Sequence, residues 1–185
     1  VCRFKKPLPR ALVQEALPRA MRALPRLLAT ESRGEAAVTT AADRAAMSHA
    51  ALVSGMALAN SGLGLAHGVA AALGVACGAP HGLACAVMLP AAMRVNRAVA
   101  EVDFAVLERA VDPAASPDDA AAADAFVERI DRLCGEAGAP RRLSDLGITA
   151  DQIGWLADHS GGGSMKGNPA QLGIDELRTM LEAML

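Results

Sequence analysis

Apolar residues recur along this chain at helical spacing, and no stretch shows the two-residue alternation of a half-buried strand. From Leu8 to Leu28, the positions Leu12, Val13, Leu17, Met21, Leu24 and Leu28 share one side of a helix, which Pro18 and Pro25 should kink or split. Glu31 to Gly34 reads as a loop. Glu35 to Asn60 reads as one long helix with Val38, Ala42, Ala45, Ala46, His49, Leu52, Val53, Met56 and Leu58 directed inward. Gly62 and Gly64 end it, since glycine enters left-handed backbone angles without a Cβ penalty. A short helix from about Leu65 to Leu73 follows, then a loop from Gly74 to Ala79. The next helix has Pro80 in its first turn, a bend at Pro90, and an end near Ala98.

The second half repeats the pattern with clearer punctuation. Val102 to Val111 is a helix closed by Asp112 and Pro113, and Ser116-Pro117-Asp118-Asp119 supplies an N-cap and an acidic first turn. The helix that starts there carries Phe126, Ile130 and Leu133 and stops at Gly138 to Pro140. Leu143 to Ile148 is a packed loop, Thr149 caps a helix from Ala150 to His159, and Ser160 to Pro169 is a glycine-rich loop. Ile174 or Asp175 to Leu185 is the last helix. The expectation is an all-α, multi-helix bundle, with residues 1–185 forming one helical domain.

Composition sharpens this picture. Aromatic residues are 2% and Tyr is absent, so Ala, Leu, Val and Met must build the core, which favours close helix packing. No Asp, Glu, Lys or Arg occurs from Ala45 to Met93. A membrane hairpin is one reading of that stretch. Ser54, Asn60, His67, Pro80, His81 and the many glycines favour the other, buried helices around a polar site in a protein with no membrane partner. A net charge of -2 gives no electrostatic footprint for nucleic acid. The early basic residues, among them Lys5, Arg10, Arg19 and Arg26, read as a solvated helix face. Four cysteines without CxxC spacing read as reduced core or near-core thiols, which points to the cytoplasm. No signal peptide is visible, and the opening at Val1 reads as a cut, a processed end or a boundary inside a longer protein.

Chemistry centres on the histidines. His67 and His81 each fall in the first turn of a helix, where the partial positive charge disfavours protonated imidazole and leaves the neutral, metal-binding form. Glycines beside both (Gly64, Gly68, Gly78, Gly82) permit close backbone approach. The pair reads either as metal ligands or as two core histidines satisfied by carbonyls. His49 reads as structural, and His159 as a surface or near-site polar group.

The run from Gly55 to Gly68, with Gly62-Leu63-Gly64-Leu65-Ala66-His67-Gly68 at its end, resembles the iron-containing (group III) alcohol dehydrogenase family. The resemblance continues through Pro80-His81-Gly82, Met88-Leu89-Pro90, Arg94-Val95-Asn96 and the tail Ser164-Met165-Lys166-Gly167-Asn168-Pro169. The fourteen-residue step from His67 to His81 matches that family's last two metal-binding histidines. The resemblance implies a helical C-terminal half that binds Fe(II), or Zn(II) in some members, and an N-terminal Rossmann-like half that binds NAD(P). It implies His67 and His81 as the third and fourth metal ligands. The first two, an Asp and a His in an Asp-x-x-x-His helix, would then lie upstream of Val1; no such spacing occurs in these 185 residues. It also places Leu58 near the nicotinamide, Ser164 and Lys166 at the substrate entrance, and Ala71 where many members carry a further histidine. The function implied is interconversion of a small alcohol and its aldehyde or ketone, in a homodimer. On its own the chain is expected to be inactive. The alternative is a catalytically incomplete helical scaffold or dimerisation module derived from that family.

Overall fold

The computed structural model describes residues 1–32 and 41–185. Among these there is no strand, and eight α-helices are formed. They are α1 (Pro7–Ser32), α2 (Ala41–Ser61), α3 (Leu65–Cys77), α4 (His81–Asn96), α5 (Glu101–Val111), α6 (Asp119–Glu136), α7 (Ile153–His159) and α8 (Ile174–Glu182). The all-α reading therefore holds. Single 3-10 turns at Ser144–Leu146, Ala150–Gln152 and Ser164–Gly167 fill the C-terminal connections.

Two cores share the interior. The larger is built by α3, α4, α7 and α8 around Leu65, Val69, Leu73, Met88, Leu143, Ile153, Leu156 and Leu181, all essentially inaccessible to solvent. The smaller joins α5 and α6 through Phe104, Phe126, Val127 and Ile130, with Met93 of α4 and Leu17 and Met21 of α1 against them. Phe104 and Phe126, two of the few aromatics, sit 5.9 Å apart between ring centroids.

Several boundaries differ from the sequence expectation. Helix α1 runs unbroken past Pro18 and Pro25 to Ser32. A proline removes one backbone bond, but Ala16 and Ala23 are buried along the helix, and its packing on α2 and α5 holds the turns together. The rest of the expected loop, Arg33 and Gly34, and the expected start of the next helix at Glu35, with Val38, lie outside the described residues. Helix α3 continues through Gly74 to Cys77 and closes at Gly78, whose φ of 67° is left-handed. Burial of Leu73 overrides the modest penalty of one helical glycine. Pro80 is the residue before α4, not within its first turn. Asp118 caps α6 by accepting from the Ala121 N–H at 2.8 Å, while the Ser116 hydroxyl accepts from Asp118 N–H one step earlier. The last helix stops at Glu182.

The larger correction concerns α2. Its expected inward residues Ala42, Ala45, Leu52, Met56 and Leu58 are exposed, and among its residues Asp43 and Val53 are the buried ones. Helix α1 is its principal neighbour, so apolar residues all round the helix leave most of their surface in solvent. No single described helix is long and apolar enough to cross a membrane; α2 and α3 reach that hydropathy only together, across a 101° bend. The basic residues of the N-terminal segment are also less free than expected. Lys5 reaches Asp103 at 2.6 Å, Arg10 reaches the same carboxylate at 3.3 Å, and Arg26 pairs with the buried Asp43.

Candidate metal centre

His67 sits in the first turn of α3, and His81 opens α4. Each start follows a residue that stops the preceding helix: Gly62, with φ +79°, and Gly78, with φ +67°. The two rings, fourteen residues apart in sequence, come together with centroids 5.4 Å apart and planes tilted by 56°. One helical turn beyond His81 on α4, the Cys85 Sγ lies 3.6 Å from His81 Nε2. The donor atoms of His67, His81 and Cys85 all fall within 4.8 Å of one another. Cys85 packs against the larger core, as the sequence reading of its thiol as core or near-core expects, and the His81-x-x-x-Cys85 step also puts it on the helix face of His81.

His67 and Cys85 are half-buried and His81 is exposed. Burial, and then the nearness of His81, push the His67 imidazole below its ordinary range. It is therefore neutral at pH 7 and has a lone pair to offer. Burial pushes the Cys85 thiol up. Two imidazole nitrogens and a sulfur this close together are the donor types that divalent zinc and iron accept, so the residues present fit such an ion.

The start of α3 is held from the far end of the chain. The Leu65 N–H donates to Asn168 Oδ1 at 3.0 Å, and Asn96 Nδ2 donates to the same oxygen at 2.9 Å. Asn168 Nδ2 returns a bond to Asn96 Oδ1 at 3.0 Å and another to the Ala170 carbonyl at 2.8 Å. Both side chains are buried, and this closed set satisfies them. Backbones meet closely here. A Cβ on Gly167 would run into the Leu63 carbonyl, and one on Gly68 would lie 2.9 Å from the Ser160 carbonyl. The glycine-rich loop thus packs directly on the helix start that carries His67.

A cavity of about 580 Å³ opens beside His67, walled by Leu58, Leu63, Leu89, Met93 and Phe104. His67 and Leu58 line this one space; His81, Ser164 and Lys166 do not. Ser164 is half-buried and Lys166 exposed, on the turn that follows the glycines. Ala71 lies exposed one turn after His67. The other two histidines stand apart from the cluster. His49 Nε2 meets Glu15 Oε2 at 2.8 Å, tying α2 to α1. His159 stacks on Trp155 at 4.1 Å and bonds its carbonyl through Nδ1.

A known class of proteins shares this order of helices. The family model for the C-terminal part of the Fe-containing alcohol dehydrogenases matches residues 17–185, and the chain belongs to that family. It is 33% identical over 137 residues, 74% of this chain, to Probable alcohol dehydrogenase EutG of Escherichia coli, and the match spans 33% of that protein. It is 34% identical over 116 residues, 60% of this chain and 29% of the relative, to the 1,3-propanediol dehydrogenase of Citrobacter freundii. Among solved structures, a 1,3-propanediol oxidoreductase superposes on 100% of this chain with a TM-score of 0.88 and 26% identity, over 47% of its own length. The chain thus spans less than half the length of each of these three relatives.

Proposed function

We propose that this chain is the helical, metal-carrying half of an NAD(P)-linked oxidoreductase that interconverts a small alcohol and its aldehyde or ketone, completed by an N-terminal nucleotide-binding half. The observation that carries this reading is the approach of His67 and His81, at 5.4 Å, beside an apolar cavity. A bound Fe(II) or Zn(II) ion would supply Lewis acidity toward the substrate oxygen. His67 and His81 are the residues of this chain that would hold it, and the neutral state of His67 keeps its lone pair available at neutral pH.

The remaining residues shape the surroundings. Leu58, Leu89, Met93 and Phe104 give the cavity an apolar wall that keeps water from the reacting groups. Leu58 is assigned to the nicotinamide side, supported by its place on the same cavity as His67. Ser164 and Lys166 are assigned to the substrate entrance, supported by the packing of Gly167 and Met165 on the start of α3. The exposed apolar residues of α2, Leu52 and Met56 among them, suit a helix face that an upstream half would cover. Four free thiols support a cytoplasmic setting, and the family resemblance supports a homodimer.

The test is reconstitution. The chain is combined with its upstream half and Fe(II) or Zn(II), and NAD(P)H formation is followed with short-chain alcohols and diols. Turnover that disappears in the His81→Ala protein supports the reading. Folded, metal-loaded protein that turns over none of these alcohols would overturn it and favour the scaffold alternative, for which the exposed Ala71 beside the histidine pair speaks.

A further inference from the structure

The helix that carries His67 has no cap of its own. Gly64 precedes α3 and offers no side chain, and the first helical bond runs from the Gly68 N–H to the Gly64 carbonyl, at 3.0 Å. The N–H groups of Leu65, Ala66 and His67 lie ahead of that bond, where a helix cannot supply their partners. Asn168 takes over the missing role from 103 residues away, accepting from the Leu65 N–H at 3.0 Å. Gly64 is matched to this arrangement: a Cβ there would lie 2.9 Å from Asn168 Oδ1 and 3.5 Å from the Asn168 Cα.

The partners of Asn168 make the cap rigid and tie it to the second histidine. Its Oδ1 also accepts from Asn96 Nδ2, and its Nδ2 donates to Asn96 Oδ1 and to the Ala170 carbonyl. A turned-over Asn168 amide would set N–H against N–H at both Leu65 and Asn96, so one orientation is fixed. Asn96 is itself held, donating to the Ala92 carbonyl at 2.7 Å and accepting from the Ala170 N–H at 2.9 Å. It is the last residue of α4, whose first residue is His81. The amide pair therefore joins the start of one histidine-bearing helix to the end of the other.

We propose that Asn168 is a positioning residue for the metal: it caps α3, ties that cap through Asn96 to α4, and so holds the His67 and His81 imidazoles where one ion can take both. The proposal rests on the metal reading above and leaves the remaining ligands to the upstream half. His67 lies two residues beyond the capped N–H, within the same turn, so a loosened cap displaces its ring directly. Leu65, Asn96 and Asn168 are all buried, out of reach of water that could replace a lost partner. The competing account is that the amide pair stabilises the fold and has no bearing on the ion.

Cobalt(II) titration of the chain combined with its upstream half separates these accounts, because the visible ligand-field bands of cobalt report coordination geometry as well as affinity. Asn168→Ala should lower cobalt affinity about tenfold and shift or weaken the bands. Arg129→Ala, which breaks the ion pair with Glu108 beside the smaller core, should lower stability and leave both affinity and bands as they are. Unchanged affinity and spectrum in Asn168→Ala would overturn the proposal, and so would an equal loss in Arg129→Ala. If the unaltered protein gives no bands, or bands that do not depend on His67 and His81, the metal reading itself fails and takes this proposal with it. Should Asn168→Ala fail to fold, hydrogen exchange of the unaltered protein provides the second measurement. Coupling is reciprocal, so an ion that the amide pair helps to hold must hold the amide pair in return. Zn(II) should slow exchange of the Leu65 N–H and the Asn168 side-chain amide several-fold beyond its effect on α5 and α6. Equal slowing throughout the molecule would overturn the proposal.

Discussion

The two cores of this molecule are held by different physics. Around the start of α3 the frame is uncharged: α3 carries no acid or base besides His67, and its start is held by the closed Asn96–Asn168 amide pair and backbone carbonyls. Around α1, α5 and α6 the links are ionic. Glu108 is 2% exposed and receives Arg129 through both Nε, at 2.9 Å, and Nη2, at 2.5 Å. Asp103 gathers Lys5 and Arg10 from the N-terminal segment. The difference places the chemistry. Burial, with His81 nearby, holds the His67 imidazole below its ordinary range, and the ion pairs of this chain lie away from it.

Substitutions that attack one frame at a time sharpen this comparison. Gly167→Ala should have the largest effect, a loss of about 4 kcal/mol or failure to fold, because backbone meets backbone at that point and nothing flexible can yield. Urea denaturation reads it. A loss below about 1 kcal/mol would show that the loop gives way and that the uncharged frame is soft. Arg129→Ala should follow, with about 3 kcal/mol lost, since it strands the buried Glu108 carboxylate. Changing the pair together, Glu108→Leu with Arg129→Met, should recover most of that loss, whereas no such repair exists for Gly167. Asn168→Ala comes next at about 2 kcal/mol, from the Leu65 N–H left without its side-chain acceptor and the Asn96 amide reduced to its bonds with Ala92 and Ala170. Unlike Arg129→Ala, it should also weaken cobalt binding, because it releases the helix start that carries His67.

The smallest effect belongs to an exposed ion pair. A hydrogen bond from Arg97 holds the Asp124 carboxyl below its ordinary value of 3.8. A depressed folded-state pKa stabilises the fold above 3.8 and loses that contribution as pH falls through the folded value. Melting curves of the unaltered chain and Asp124→Asn should therefore differ at neutral pH and converge in acid. Asp124 lies largely in solvent, so added salt should shrink even the neutral-pH difference.

Most of the helices and the histidine pair were legible in the sequence, and the reasons differ. Helix ends marked by glycine or by an acidic cap stand where the sequence places them to within a few residues, because those signals are local. Gly74 misleads for a tertiary reason: burial of Leu73 outweighs its weak helix propensity. Helix α2 misleads because its sequence is apolar on every side and so does not state which side is covered. The Asn96–Asn168 clasp joins residues far apart in sequence, and no short-range pattern announces it.

The clasp and the donors also differ in how far apart the chain holds them. His67 and His81 lie within one stretch of two helices, whereas the bond from Leu65 to Asn168 joins residues 103 apart. Contacts of short separation close quickly and long loops close late. The donors should therefore meet while the C-terminal third of the chain is still being threaded home, so a metal ion can be captured by a half-built protein. Pulse-labelled hydrogen exchange during refolding, with and without zinc, would see α3 and α4 protected first and would time the arrival of the ion against the arrival of its walls.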